Sequence, residues 1–565
     1  VLPGAATLPV GLLVDSLTVA MFTLVTVVGL LVHVFGMAYM AGDAKAPRFF
    51  ALMQLLSFAM LALVLSDSLV QVFVFWGLVG AAAFLLIGFW HENRAPARGL
   101  VKAAVVNGVG DAFFLIGIGL IFWHVGGAGL NFYDASGKPA MATAVDRAVR
   151  SEMLSPGGAV GPGGASILED FSRLAASENE SVLYQNVGPR FLGLGWLTWA
   201  GLCLFGGAAA KAGQFPLHVW LPEAIEGPPP ATAWMQSSVL VAAGVYLIAR
   251  TYGIMTLDAR LVIAVVGCVT LAMGALLALV QTDVRKLLAC AVMSQAGYMM
   301  LFLGTGGYVA GLLHLFTTAC FMACLVLGAG SVMHALGGER ELRRMGGLWK
   351  RVPITAGAFL IAALALAGTP WFSGAVSRGM GMAGVYAYAQ ALAGGGGVGG
   401  GQARYAMILF WIPAVASYVT AFYIGRCWWL IFGGWSRDED LAEQAHENGW
   451  LTFPMILLAG LSLGVWYGGI FGMPSFMGKS VMATVPVLRV TDGAIDAAWA
   501  YAGWAFVAML LAPLVYLRGF GFADRLRRLP ALNLIHAWLR ERMFFDALYA
   551  ALVWTVTRTG RIAAH

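Results

Sequence analysis

Long, uninterrupted apolar stretches dominate the hydrophobic pattern of this chain. Residues 16–42, 68–90, 352–377 and 451–478 contain no Asp, Glu, Lys or Arg. A helix that crosses a bilayer needs roughly 20 consecutive apolar residues, and each of these stretches is long enough. Because they are continuously apolar rather than alternating, they favour spanning helices over barrel strands. The pattern predicts an all-α polytopic membrane protein.

The same pattern predicts about 13 to 14 transmembrane helices in total. A helical stretch near 541–558 is the last of these, and it either spans the membrane or lies along it. The other predicted spans are about 9–37, 49–66, 68–90, 100–124, 193–222, 231–250, 259–281, 285–304, 307–334, 353–391, 404–432, 451–472 and 498–517.

Polar and low-complexity segments divide these spans. Residues 125–192 form a Gly-, Pro- and Ser-rich insertion on the outer face, residues 394–401 are a Gly-rich loop, and residues 435–447 are charged. We therefore predict five regions. They are 1–124, with the N-terminal helices and the start of a first repeat; 125–192, the polar insertion; 193–250, the rest of the first repeat; 251–432, a second repeat; and 433–565, the C-terminal helices.

Two of the predicted spans are unusually long and are interrupted by glycine and proline. The segment 193–222 contains KAGQFP, and the segment 353–391 contains AGTPWFSG. Each carries an ionisable residue near its interruption, Lys211 in the first and Arg378 in the second. Paired broken helices are typical of transport proteins, because an interrupted helix frees backbone groups that must face a wet cavity.

Composition and charge support a membrane protein and argue against a nucleic-acid partner. Sixty per cent of the residues are hydrophobic and 11% are charged, whereas a soluble domain has about 25% charged residues. The formal net charge of +6 comes mainly from basic loops that fall on one face when the spans are traced in order. This positive-inside pattern assigns that face to the cytoplasm or matrix. The loops concerned are 41–48, 91–102, 283–286, 339–351, 433–450 and 518–528. Basic residues in the opposite loops are fewer: Arg250, Arg404, Lys479 and Arg489.

Lys211 is the leading candidate for chemistry. An ionisable residue within the membrane is costly unless it is paired or hydrated, so its presence indicates function. A buried lysine can take up and release a proton. The alternative is a lysine near a helix end that extends its amine to the interface, but Lys211 lies more than ten residues from the EAIEG loop.

The other candidates for an ion path are histidines and carboxylates. Asp111 is the obvious counter-charge, although it could instead cap a helix or pair with Lys102. His314 and His218 could relay protons or could be neutral side chains bonded to backbone carbonyls. Glu223, in the EAIEG loop, is included as a further candidate. Asp283, in QTDVRK, is better explained as a helix cap.

No cofactor is expected on this chain. The sequence has no glycine-rich phosphate loop, nucleophile elbow, metal-spaced His/Cys/Asp cluster or haem-like histidine pair. Its six cysteines lie within apolar stretches and are interpreted as packing residues. We expect no redox or hydrolytic centre.

With these residues located, a family resemblance is visible. KAGQFPLHVWLPEAIEGPPPATAWMQSSVLVAAGVYLIAR (211–250) and LVQTDVRKLLACAVMSQAGYMMLFLG (279–304) resemble the antiporter-like subunit of respiratory complex I, of the subunit-5 or L type. This family is shared with Mrp cation/proton antiporters. The resemblance implies two inverted five-helix repeats, each with a broken helix, and proton or sodium movement through ionisable residues. Lys211, His314 and Asp111 match family positions on such a path.

Departures from the family pattern affect the expected path. The family's key glutamate corresponds to Gly77, a central lysine corresponds to Met322, and the lysine of the second broken helix corresponds to Arg378. Arginine effectively never releases its proton and is a poor relay. The resemblance therefore implies a partly degenerate proton path.

The sequence thus predicts a proton-translocating, non-redox subunit of a complex I-type NADH:quinone oxidoreductase. Its expected partners are the bilayer and other membrane subunits, in a bacterial inner (plasma) membrane or a mitochondrial inner membrane. The alternatives are a subunit of an Mrp-like antiporter or of an inorganic-carbon uptake complex, or a scaffold that does not pump.

Overall fold

The protein is a bundle of helices. The computed structural model describes residues 10–133, 140–141, 143–145, 194–394, 400–463, 492–517 and 519–551. Its α-helices are Ser16–Tyr39 (α1), Ala46–Val64 (α2), Leu69–Ile87 (α3), Arg94–Val125 (α4), Trp196–Lys211 (α5), Pro229–Arg250 (α6), Leu257–Val280 (α7), Val284–Gly304 (α8), Tyr308–Ala335 (α9), Pro353–Ala367 (α10), Ser373–Gly394 (α11), Gly400–Phe432 (α12), Glu439–Glu443 (α13), Gly449–Leu461 (α14), Asp492–Tyr516 (α15), Gly521–Leu526 (α16) and Pro530–Arg540 (α17).

In the described part of the chain, 9 helices are long and apolar enough to cross a membrane. They are α1 to α4, α6 to α9 and the Met407–Phe432 part of α12. The prediction of an all-α polytopic membrane protein is confirmed. Most of the 125–192 insertion, residues 464–472 of the predicted span 451–472 and residues 552–558 of the 541–558 stretch lie outside the described residues.

Local sequence signals explain several helix starts. Asp15 caps α1 by accepting the backbone N–H of Thr18 at 2.8 Å, so α1 begins later than the predicted span at 9–37. Asp283 caps α8 by accepting the backbone N–H groups of Arg285 at 2.8 Å and Lys286 at 3.3 Å. The prediction that Asp283 caps a helix is therefore confirmed.

Two helices, α8 and α9, run through the centre of the bundle, and nearly all of their side chains are buried. Glycines let α7 and α8 pack backbone to backbone. A Cβ at Gly297 would lie 2.5 Å from the backbone nitrogen of Leu271, and one at Gly274 would lie 2.6 Å from that of Ser294. Small residues at such crossings are a usual device of membrane helices.

Both predicted interruptions are present, but they differ in form. The helix α5 ends at Lys211, and Gly213 follows with a positive φ of 60°. The chain then passes through turns, with one short 3₁₀ segment at Ala224–Glu226, before α6 starts at Pro229. The predicted break at KAGQFP is therefore present, and the part of the 193–222 span after it forms turns rather than helix, because the glycine turn and Pro216 redirect the backbone.

The second interruption separates two full helices. α10 ends at Ala367, Gly368 adopts the left-handed conformation with a φ of 74°, and α11 starts at Ser373. Glycine is favoured at such helix ends because it lacks a Cβ. The pairing of the helices into two inverted repeats stays a prediction.

Candidate functional site

The Lys211 amine is buried at the first interruption. Lys211 is the last residue of α5, and its side chain is fully buried. Among the described residues its Nζ has no hydrogen-bond partner. The nearest carboxylate oxygen is Oδ1 of Asp111, 3.9 Å away. That distance exceeds a normal hydrogen bond, so the two groups form a loose ion pair.

One face of α3 surrounds this amine. Nζ lies 5.4 Å from the ring centroid of Trp76 and 5.5 Å from that of Phe84. Gly80 lies between these aromatic residues on the helix, and a Cβ there would be 2.6 Å from Nζ. Two aromatic faces attract a cation, and the missing side chain at Gly80 leaves room for it.

Asp111 stands in the middle of α4 and binds a second partner. Its Oδ1 accepts a hydrogen bond from the indole nitrogen of Trp76 at 2.7 Å. The Asp111 side chain is 27% exposed, whereas Lys211 is at 0%. The structure therefore brings Lys211 and Asp111 together and adds Trp76 and Gly80, which sequence reasoning missed.

Gly77, the position that matches the family glutamate, does not face the amine. Gly77 is exposed on α3, and nothing lies within 4 Å of the position that its Cβ would take. A carboxylate next to Lys211 is nevertheless present, because α4 supplies it from Asp111. The loss of the acid at Gly77 does not leave Lys211 without an acidic neighbour.

Glu223 belongs to a different cluster at the predicted cytoplasmic end. We call it the charge ring, and its members are Lys102, Glu223, Arg542 and Asp546. Lys102 lies 2.7 Å from Glu223 and 2.5 Å from Asp546, and Arg542 lies 2.9 Å from each of the same carboxylates. Lys102 thus pairs with these acids rather than with Asp111.

His218 lies in the turns that follow Lys211, next to the segment that carries Asp546 of the charge ring. Its side chain is buried, and its Nδ1 lies 3.1 Å from the carbonyl oxygen of Pro216. Phe545 packs on its ring at a centroid distance of 5.3 Å. His218 thus contacts a backbone carbonyl, as the alternative to a proton relay predicted.

His314 is part of a hydrogen-bond network at the second interruption. Its Nε2 lies 3.1 Å from Oε1 of Gln295, and its Nδ1 lies 3.0 Å from Oγ of Ser377. A neutral ring that donates from Nε2 to the amide oxygen and accepts from the hydroxyl fits both contacts. Its partners are side chains, not a backbone carbonyl.

Arg378 is buried in the same network and is bound by neutral oxygens. Its two terminal nitrogens donate to Oγ of Ser417 at 2.7 Å, to Oε1 of Gln295 at 3.1 Å, and to the carbonyl oxygens of Leu366 at 2.6 Å and Ala367 at 3.2 Å. Those carbonyls close the end of α10. No carboxylate among the described residues forms an ion pair with Arg378.

The face of α9 that corresponds to the family's central path carries neutral residues at the positions after His314. His314, Thr318 and Met322 follow one another at four-residue spacing and are all buried. The hydroxyl of Thr318 has no hydrogen-bond partner among the described residues. Met322, where the family has a lysine, cannot carry a proton.

Comparison with known families agrees with this architecture. A model described as NADH:quinone oxidoreductase/Mrp antiporter, TM, matches residues 66–143 and 183–397, more than half of the chain. A second, described as NADH-ubiquinone oxidoreductase (complex I), chain 5 N-terminus, matches residues 2–50. The interval between the two ranges that the first model matches, residues 144–182, lies within the predicted 125–192 insertion.

Individual relatives cover nearly the whole chain. The NAD(P)H-quinone oxidoreductase chain 5 of Picosynechococcus sp. is 34% identical over 579 residues, which cover 96% of this chain and 77% of the relative. The NADH-quinone oxidoreductase subunit L of Pseudomonas aeruginosa is 31% identical over 547 residues, with the same two coverages of 96% and 77%.

Solved structures share the fold. The Mrp complex from Dietzia sp. matches with a TM-score of 0.70 and 21% identity, over 98% of this chain and 53% of that one. The archaeal membrane-bound sulfane sulfur reductase matches with a TM-score of 0.64 and 20% identity, over 85% of this chain and 86% of that one. The chain belongs to the family of antiporter-like membrane subunits that NADH:quinone oxidoreductases of the complex I type share with Mrp antiporters.

Proposed function

We propose that this chain translocates protons as a membrane subunit of a complex I-type NADH:quinone oxidoreductase, with the Lys211 amine as the group that takes up and releases the proton. In this proposal electron transfer takes place on other subunits, and this chain binds no cofactor. Its partners are the neighbouring membrane subunits. The names of its relatives support this assignment.

The observation that carries the proposal is the arrangement of Lys211 and Asp111. A fully buried ammonium without hydrogen bonds is unfavourable, and the described neighbours that stabilise the charge on Lys211 are Asp111 and the aromatic faces. Small changes in the 3.9 Å separation therefore change how tightly the amine holds its proton. This is the property that a proton relay requires.

The second interruption supports a different role for Arg378. A guanidinium does not release its proton, and this one donates to four neutral oxygens, two of them at the end of α10. We propose that Arg378 holds the broken helix together and that His314 is the titratable group that remains nearby. The proton path then depends on the first half of the chain.

The scarcity of titratable groups around the second interruption favours a second candidate function. In this candidate the subunit has kept the fold for assembly and does not translocate ions. The neutral positions Thr318 and Met322 and the immobilised Arg378 all interrupt a continuous line of titratable groups. The two candidates differ in what they predict for Lys211.

The test is proton uptake by vesicles that contain the whole purified complex, driven by NADH and a soluble quinone. Lys211→Ala should lower proton uptake per electron at least tenfold while the complex still assembles. Lys211→Arg should fail equally, because it keeps the charge but cannot release a proton. Lys45→Ala, which removes an exposed lysine paired with Glu92, is the matched control. Unchanged uptake in Lys211→Ala would establish the assembly role instead.

A further inference from the structure

Trp76 contacts both members of the Lys211–Asp111 pair. Its indole nitrogen donates to Oδ1 of Asp111 at 2.7 Å, and the same oxygen lies 3.9 Å from the Lys211 amine. We infer that Trp76 is a positioning residue that competes with the amine for Asp111 and so sets how tightly Lys211 holds a proton. This inference rests on the proposed function of Lys211.

Competition follows from where the carboxylate is held. An ammonium-to-carboxylate hydrogen bond is about 2.8 Å long, so Nζ would have to approach Oδ1 by about 1 Å to form one. In the structure the indole N–H binds one lone pair of that oxygen and holds the carboxylate at Trp76, and Nζ has no hydrogen-bond partner among the described residues. The structure thus shows the acid bound to the indole and the amine left apart.

The indole ring also stabilises the amine in the separated state. Nζ faces the rings of Trp76 and Phe84, at 5.4 and 5.5 Å from their centroids. A cation over an aromatic face is attracted by the ring quadrupole. One side chain therefore binds the carboxylate through its N–H and the ammonium through its face.

Other groups do not compete for either partner. Asp111 is the one acid among the described residues with an oxygen within 4.0 Å of the Lys211 amine. The helices α4, α6 and α7 pack on α5, and of these α4 supplies the acid at the amine. On α3 the neighbours are aromatic rings and Gly80. Among the described residues, Trp76 supplies the hydrogen bond that Asp111 accepts.

Removing that donor has a predictable sign. Without the indole N–H, the Asp111 carboxylate is no longer held at Trp76 and can turn toward the ammonium of Lys211, so the charged form of the amine is favoured. Lys211 then gives up its proton only at higher pH. We expect Trp76→Phe, which keeps a ring but lacks the N–H, to move the midpoint of the pH dependence of proton uptake upward by about one unit. Uptake at neutral pH should fall several-fold.

The experiment measures proton uptake per electron against pH in vesicles that contain the whole complex. Trp76→Phe is compared with Trp90→Phe, a matched control whose indole nitrogen lies 3.4 Å from Oδ2 of Asp43, away from the site. Asp111→Asn, alone and combined with Trp76→Phe, completes a double-mutant cycle. Assembly and NADH:quinone activity are checked for every variant.

We expect the upward shift in Trp76→Phe, no shift in Trp90→Phe, and no further shift when Trp76→Phe is added to Asp111→Asn. A wild-type pH profile for Trp76→Phe would overturn the inference. So would a shift of equal size in the Asp111→Asn background, because Trp76 would then act without Asp111. If Lys211→Ala stops proton uptake while Trp76→Phe leaves the pH profile unchanged, only this inference fails. If Lys211→Ala changes nothing, the proposed function fails with it.

Discussion

The two interrupted helices hold a buried cation in opposite ways. At the first, the Lys211 amine has no hydrogen-bond partner among the described residues and lies near a carboxylate. At the second, the terminal nitrogens of Arg378 donate to four neutral oxygens. A group that takes up and releases a proton cannot have one charge state strongly stabilised over the other. A cation with a structural role is instead stabilised by many hydrogen bonds. The comparison therefore supports the proposal that the first interruption serves proton transfer and the second is structural.

The largest expected effect is a loss of proton uptake at Lys211 without a loss of stability. Lys211→Met replaces the amine with an apolar side chain of similar shape, so proton uptake should fall at least tenfold. The melting temperature of the complex should stay the same or rise, because a buried donor without a partner is removed. Thermal unfolding in detergent and the vesicle assay measure the two quantities. A large drop in the melting temperature would mean that Lys211 is structural as well, and the comparison would break.

Arg378→Met should have its main effect on stability rather than on proton uptake. Truncation leaves the carbonyls of Leu366 and Ala367 and the oxygens of Gln295 and Ser417 without their donor in a buried site. The cost should be about 3 kcal/mol of stability or more. Thermal unfolding of the assembled complex measures it. Arg378→Lys, with one charged nitrogen in place of a fork, should recover only part of the loss. If Arg378→Met were as stable as wild type but inactive, Arg378 would belong to the path.

Sequence reasoning found the charged members of the first site but not their neutral neighbours. Lys211 and Asp111 stand out because charges are costly within apolar helices. Trp76 and Gly80 do not, because a tryptophan or glycine in such a helix usually serves packing. Their role depends on how α3 rotates toward α5, and hydrophobic periodicity leaves that rotation open when the whole helix is apolar.

Long-range contacts were also outside the reach of sequence patterns. Arg542 lies 319 residues after Glu223 in the chain, and nothing local links them. Gln295, a neutral residue in the centre of α8, gave no signal although it contacts both His314 and Arg378. The spans and the two interruptions were predictable because they depend on local composition, on glycine and on proline.

A glycine pair on α3 provides a smaller test of the first site. A Cβ at Gly80 would lie 2.6 Å from Nζ of Lys211, whereas at Gly77 it would meet nothing within 4 Å. Gly80→Ala should push the amine away from its aromatic faces and lower proton uptake several-fold. Gly77→Ala is the matched control on the same helix and should behave as wild type. Equal effects of the two substitutions would indicate a change in α3 itself rather than at the amine.

The smallest expected effect concerns the charge ring, which covers the turns after Lys211 and has no described counterpart at Arg378. Asp546→Asn weakens its contacts with Lys102 and Arg542, 2.5 and 2.9 Å long. These groups are partly exposed, so the loss should be about 1 kcal/mol. Backbone hydrogen exchange in the segment that carries Asp546, which also packs Phe545 against His218, should rise several-fold. Asp524→Asn, which breaks a more exposed pair with Arg343, should leave exchange in that segment unchanged. If Asp546→Asn left exchange there unchanged as well, the charge ring would not hold the segment over the first interruption, and the two interruptions would differ only in their buried cations.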